Sequence, residues 1–295
     1  MYKSNLIFNK RNLVFYPLVF YNIVRYSRLY KLLEPIDILL AKILEKIPIQ
    51  TNFDFKLFMR YPVSLELFLN GFIEYDITAI MLKIIKEGEL CIDIGAHCGY
   101  YTILFSKMVK EKGLVISFEP DKNNLSFLIR NVKYNKCNNV KIYPYAVSDN
   151  DSFAILSEDK KTGLDSYIIE KTKSNSKYTK IRTIKLDSLN LDKPICLLKI
   201  DVQGNEVKVF KGMAESLKNI AYIVFEYCPI AIIKRSKENP FLIFELLSKN
   251  SFDLYLINDG RLRKLDINDF EKLTSKLLIN KGWVNILANR KNAQF

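Results

Sequence analysis

From Leu90 onward the hydrophobic pattern alternates between short continuous apolar runs and longer stretches with helical spacing. LCIDIG (90–95), LVISFEP (114–120), VKIYPYAV (140–147), ICLLKID (195–201) and AYIVFEY (221–227) predict buried strands. Between them, YTILFSKMVKEKG (101–113), LSFLIRNVKYN (125–135) and NEVKVFKGMAESLKN (205–219) repeat apolar positions at helical spacing, the first closing on a glycine. FDLYLI and WVNILA, within 252–289, predict the last strands. Strands alternating with crossover helices imply a parallel sheet covered on both faces, a doubly wound α/β domain.

Two regions depart from this rhythm. Between 148 and 194 polar residues dominate, and the β-prone pieces SFAILS (152–157) and KIRTIKL (180–186) predict a hairpin or edge insertion suited to substrate-selective loops. Upstream, EPIDILLAKILEKI (34–47) and DITAIMLKIIKEGE (76–89) read as amphipathic helices, while 49–75 is aromatic-rich and irregular. Residues 1–75 thus read as a helical, basic N-terminal extension packed on a domain spanning 76–295.

Composition narrows the class. Apolar residues make up 49% of the 295, enough for a sizeable core and too many for a disordered chain. The formal charge of +13 fits a Lys-rich, solvated surface and equally suits anionic partners, nucleic acid, lipid headgroups or acidic glycans, without choosing among them. No acid precedes Glu34, and Lys3, Lys10, Arg11, Arg25, Arg28 and Lys31 are interleaved with aromatics. That segment is open to two readings, peripheral contact with an anionic membrane or a helical cap on the main domain. The five cysteines are odd in number and widely spaced, which fits a reducing, cytoplasmic compartment better than a disulfide framework or a zinc site. No run approaches the length of a membrane-spanning helix.

The candidate chemistry lies in CIDIGAHCGYYT (91–102): a strand ending at Asp93, a loop with Gly95 and Gly99, and a helix from Tyr100. Ligands of open α/β sheets bind beside such a loop, where glycine admits close approach and a helix N-terminus offers free N–H groups. His97 stands where a dinucleotide fingerprint needs glycine, and Gly-Tyr-Tyr replaces the G-K-[ST] of a phosphate loop. A methionine carboxylate tolerates the bulkier loop, and Asp93 is placed to take an ammonium group. Glu119, ending the second strand, can accept both hydroxyls of a ribose.

Taken with GFIEYD (71–76), SFEPDKNN (117–124), YAVSD (145–149), RTIKLDSL (182–189), LLKIDVQGNEVKVFKGM (197–213) and VFEY (224–227), the chain resembles the FkbM-type S-adenosylmethionine-dependent methyltransferases over about 71–228. The resemblance implies a seven-stranded, mostly parallel class I methyltransferase sheet of Rossmann-like type, with S-adenosyl-L-methionine as cofactor. It also implies O-methylation of a hydroxyl on a sugar, glycan, glycolipid or related small molecule. Carried over by position, Asp93, Gly95, Ala96, His97, Gly99, Tyr100 and Thr102 line the methionine end, Glu119 holds the ribose, and Ala146 with Val147 sit by the adenine. His97 stands where similar sequences often have Asn, and Gln203 where they often have Glu, which removes one carboxylate.

Methyl transfer to an alcohol needs positioning and a general base. Asp201, ending the fourth strand, is the candidate base; it is equally suited to capping the next helix. Glu206 is a substitute base, and Asp201 with Glu226 leaves a magnesium-assisted route open. A lone His97 without Cys/His spacing gives no zinc centre. Two other classes remain: a nucleic-acid methyltransferase, opposed by Asp201-Val202-Gln203-Gly204 where a base N-methylase carries an N/D-P-P-Y/F tetrapeptide, and a non-catalytic methyltransferase-like module that binds membranes or partners.

Overall fold

A computed structural model describes residues 39, 42–60, 63–158, 166–169 and 178–291. The basic segment 1–33 and half of the helix read over 34–47 lie outside them. The chain divides into two compact units at Glu74/Tyr75. In the first, strands β1 (Ile49–Gln50) and β2 (Lys56–Leu57) pair antiparallel, and helix α1 (Val63–Asn70) follows. The irregular reading of 49–75 missed this helix, whose Leu67 and Ser64 are buried.

The second unit opens with helix α2 (Tyr75–Ile84), then alternates β3 (Leu90–Ile94), α3 (Tyr100–Val109), β4 (Leu114–Phe118), α4 (Lys122–Tyr134) and β5 (Val140–Tyr143). An insertion carries β6 (Ala146–Val147), β7 (Ser152–Glu158), β8 (Ser166–Ile169) and β9 (Tyr178–Ile184). The chain returns through β10 (Ile195–Ile200), α5 (Glu206–Lys211), β11 (Ile220–Tyr227), α6 (Pro229–Arg235) and α7 (Leu242–Lys249). It closes with β12 (Phe252–Asn258), β13 (Arg261–Leu265), α8 (Ile267–Asn280) and β14 (Val284–Arg290).

The main sheet runs β13-β12-β14-β11-β10-β3-β4-β5. Its β5, β4, β3, β10 and β11 pair parallel, while β14 is antiparallel to both β11 and β12. Without the edge strand β13, this is the expected seven-stranded doubly wound sheet, its last strand inserted antiparallel between the fifth and sixth. β3 is buried at all five positions because helices cover both faces. One core spans the sheet, with Phe225 edge-on to Phe210 at 5.3 Å and Tyr227 against Phe270 at 4.9 Å.

Two predicted elements are shorter than read. The run 140–147 breaks at Pro144, which has no N–H for a ladder, and its halves enter different sheets. The helix read over 205–219 stops at Lys211, where Gly212 packs so closely that a Cβ would overlap the Ser148 carbonyl. Residues 216–219 form a single 3₁₀ turn.

The insertion is a second sheet of order β6-β9-β7-β8. The predicted hairpin pieces pair as β7 against β9, with β8 added outside β7. Ala146, Leu156 and Ile181 form its own small core, whereas Val147 and Leu186, at its two roots, are buried in the main core. Lys185 N–H and Ser188 Oγ donate to Asp151 at 2.7 and 2.6 Å, tying the two roots together.

Candidate active site

The first turn of the sheet is built by close approach. Gly95 takes φ +83°, and a Cβ there would be driven into the Asp201 carbonyl; the Asp201 N–H in turn donates to Ile94 O at 2.9 Å. The N–H groups of Gly95 and Ala96 both donate to Phe118 O at 3.0 Å, so the loop leans on the end of β4. His97 follows at φ +52°, an uncommon conformation for a residue with a side chain. Its N–H donates to Glu119 Oε2 at 2.7 Å, and Asn131 Nδ2 donates to Cys98 O at 2.7 Å. Gly99, at φ +91°, starts α3, and a Cβ there would meet Leu128 Cδ1 at 2.5 Å. The loop is thereby fixed before any ligand arrives.

Behind it lies a buried polar row. Thr102 Oγ1 donates to Asp93 Oδ2 at 2.6 Å and lies 2.9 Å from Ser117 Oγ. Register carries the row across the sheet, with Ser117 opposite Asp93 and Asp93 opposite Lys199. Burial pushes the Asp93 carboxyl up, and the Lys199 charge pulls against it. Asp93 Oδ1 is buried without a hydrogen-bond partner, the arrangement a docking ammonium group would complete. Thr102, expected to line the methionine end of the cofactor, is fully buried, with its hydroxyl on Asp93. Tyr100 is also buried, its hydroxyl 3.4 Å from Thr78 Oγ1.

Glu119 is 5% exposed and accepts from the N–H groups of His97 and Asp121. Burial raises its carboxyl to about 8 despite those two bonds. Ala146 and Val147 lie in β6 with side chains committed to packing, Ala146 in the inserted sheet's core and Val147 in the main one. The structure does not bring those side chains to the loop; their backbone alone is left for a ligand.

One step beyond the last pair of β10 and β11 stand Asp201 and Glu226, on the face that carries Asp93 and Lys199. Lys199 Nζ lies 3.3 Å from Asp201 Oδ2 and 4.7 Å from the centre of the Tyr101 ring. Gln203 Nε2 donates to Asp201 Oδ1 at 3.0 Å. Burial pushes the Asp201 carboxyl up, but Lys199 and Gln203 outweigh it and hold it below the usual range. Glu206 goes the other way: burial raises it to about 7, with Oε1 accepting the Gly204 N–H at 3.0 Å and Oε2 unpartnered. Lys199 was invisible to pattern reading; its one signal was a lysine inside a run otherwise fit for a buried strand.

A family model described as the methyltransferase FkbM domain matches residues 93–254, more than half of the chain. The hexuronic acid methyltransferase AglP of Haloferax volcanii is 22% identical over 170 residues, 52% of this chain and 62% of the relative, so the chain spans about three-fifths of that protein. Among solved structures, the FkbM methyltransferase of Methylobacillus flagellatus is 14% identical, covering 85% of this chain and 58% of that one, at a TM-score of 0.41. A SAM-dependent methyltransferase of Aquifex aeolicus is 16% identical (78% and 93% covered, TM-score 0.40). SMU.1697c of Streptococcus mutans, solved in complex with SAH, is 10% identical (79% and 99%, TM-score 0.42). The family match opens on Asp93 itself and runs through the glycine loop, Glu119 and Asp201 into β12. The chain belongs to the FkbM family of methyltransferases, whose methyl donor is S-adenosylmethionine.

Proposed function

We propose that the protein O-methylates a hydroxyl of a sugar, glycan, glycolipid or related small molecule. The observation that carries this reading is Asp201, a carboxylate kept ionised by Lys199 and Gln203, on the sheet face and at the sheet edge that Asp93 and the glycine loop share. The name of the AglP relative, a methyltransferase of a hexuronic acid, supports a sugar acceptor.

The residues present fit the donor. Asp93 Oδ1 takes its ammonium group, and Gly95, Ala96, His97, Gly99 and Tyr100 form the wall along its methionine end. Glu119 takes the ribose hydroxyls, and the backbone of Ala146 and Val147 borders the adenine. The cofactor supplies a methyl group already activated on a sulfonium, so the chain's part is chiefly alignment and proton removal. Asp201 accepts the acceptor hydroxyl's proton at its exposed oxygen edge. A depressed pKa suits this role: the hydroxyl becomes strongly acidic as its oxygen gains the methyl group, so even a weakly basic carboxylate takes the proton, provided it is ionised throughout. Lys199 and Gln203 ensure that.

Asp201→Asn tests the reading. It keeps the packing against Gly95 and removes the base, so S-adenosylhomocysteine binds as before while methyl transfer to a sugar hydroxyl falls by about 10²–10⁴. Undiminished transfer in Asp201→Asn would move the base elsewhere, with Glu206 next in line. Alkali-labile methyl groups in the product, in place of stable ethers, would exclude O-methylation of a hydroxyl.

A further inference from the structure

Asp201 is the start of a chain of contacts that the methyl-transfer reading leaves unused. Gln203, at φ +54°, turns back to donate to Asp201 Oδ1, and its own carbonyl accepts from Arg235 Nη1 at 2.9 Å. Gln203 Oε1 lies 3.4 Å from the same nitrogen. Gly204, at φ +94°, makes this possible: a Cβ there would sit 2.8 Å from the Ala231 carbonyl, so α6 lies directly on the turn and delivers Arg235 beside it. The guanidinium then lies over the Tyr167 ring of β8, 4.2 Å from its centre. Among the described residues no carboxylate pairs with Arg235, and Gln203 is neutral. The charge is held in place on one nitrogen, with the rest of its planar fork unspent.

The inserted sheet continues the motif. Its register puts Tyr167, Ser157, Ile155, Phe153, Lys180 and Arg182 on one face. Lys180 Nζ lies 4.3 Å over the Phe153 ring and Arg182 lies 5.0 Å over Tyr145. Phe153 is 63% exposed, a high value for a phenylalanine with no catalytic or core role. Among the described residues, Lys180 and Arg182 on this face and Arg235 beside it have no carboxylate within ion-pair distance; Asp151, at the root of the sheet, feels the Arg182 charge but is engaged by Lys185 N–H and Ser188 Oγ. Aromatic rings offer flat apolar surface to the C–H faces of sugar rings, and cations held beside them without an ion-pair partner attract carboxylates.

Resting on the sugar-methylation reading, we propose that this face binds an anionic, carboxylate-bearing glycan, with Arg235 gripping the carboxylate nearest the hydroxyl presented to Asp201. Arg235 is thus a specificity residue that reads the acceptor's charge two hydrogen bonds away from the base.

The full-length protein loaded with S-adenosylhomocysteine should be titrated with a galacturonate tetrasaccharide, its fully methyl-esterified neutral form, and a single-stranded oligothymidylate. The acidic tetrasaccharide is expected to bind at least tenfold tighter than its ester. Arg235→Gln should erase that preference and Arg235→Lys keep part of it, both with wild-type affinity for S-adenosylhomocysteine as proof of folding. Should Arg235→Gln not fold, Lys180→Gln/Arg182→Gln, on the open face, should lower the acid-to-ester ratio instead. Equal binding of acid and ester, no binding of either, a preference that survives these substitutions, or an oligothymidylate that binds as tightly as the acidic sugar would overturn the proposal. Ether formation on a neutral sugar, abolished by Asp201→Asn, would leave the methylation reading standing while this inference fell.

Discussion

Glu119 offers the most direct handle on the cofactor end of the site. Burial is the main cause of its raised pKa, with the Asp121 and His97 N–H groups pulling it down and the Asp121 and Asp93 charges adding to the rise; the outcome is about 8. At pH 7, then, about one molecule in ten carries the carboxylate, from that one-unit gap. In the proposed site, two ribose hydroxyls donating to Glu119 need the carboxylate, so binding at pH 7 includes a deprotonation costing about 1.4 kcal/mol, and about 2.7 kcal/mol at pH 6. Affinity for S-adenosylhomocysteine is expected to rise nearly tenfold from pH 6 to pH 7 and to level off above pH 8. Calorimetry in buffers of different ionisation heat should show close to one proton released per ligand bound at pH 7. Glu119→Gln should bind more weakly and without this slope. A flat wild-type profile with no proton release, or a slope that persists in Glu119→Gln, would refute the reasoning. Folding carries the opposite sign. Unfolded Glu119 titrates near 4.5, so the native state holds the extra proton between 4.5 and about 8. The stability this contributes is full below that window and lost as pH rises through it. The ligand-free protein should therefore melt lower at pH 8.5 than at pH 6, and Glu119→Gln should flatten the difference.

Gly95→Ala should abolish S-adenosylhomocysteine binding in calorimetry, since the left-handed backbone alone costs about 1–2 kcal/mol and the new Cβ would displace the Asp201 carbonyl. A variant that binds normally would mean the loop is not held as described. Phe225→Ala, at a side chain 1% exposed and packed edge-on against Phe210, should lower unfolding free energy by about 3–5 kcal/mol in urea titration. A loss under about 1 kcal/mol would show that the core refills the space.

The sheet was legible because each strand is a short apolar run and each crossover a helix-spaced one, and the parallel order follows from that alternation. Asp93, Gly95, Gly99 and Glu119 were legible because strand end, glycine turn and helix start are local events in consecutive residues. What escaped depends on contacts between distant segments. Lys199 is an ordinary strand residue until register places it opposite Asp93. Thr102 reads as a loop-side ligand until its hydroxyl is found on Asp93. Arg235 and Tyr167 meet only because Gly204 lets α6 settle on the β10 turn, and no local pattern announces that. The break at Pro144 was readable in principle, since a proline, with no N–H to give a ladder, argues against one continuous strand. Ala146 and Val147, on its far side, already belong to another sheet.

The rooting of the inserted sheet has a consequence for how such a chain can diverge. Val147 and Leu186 are set in the main core, and Asp151 ties the two roots together. The segment from 152 to 184 has a small core of its own, so its length and outward residues can change while both anchors and the cofactor loop stay in place. It behaves as a socketed cassette. A transplant cut at Val147 and Leu186 would carry Phe153, Tyr167, Lys180 and Arg182 of one chain onto the sheet of another, leaving Tyr145 and Arg235 behind.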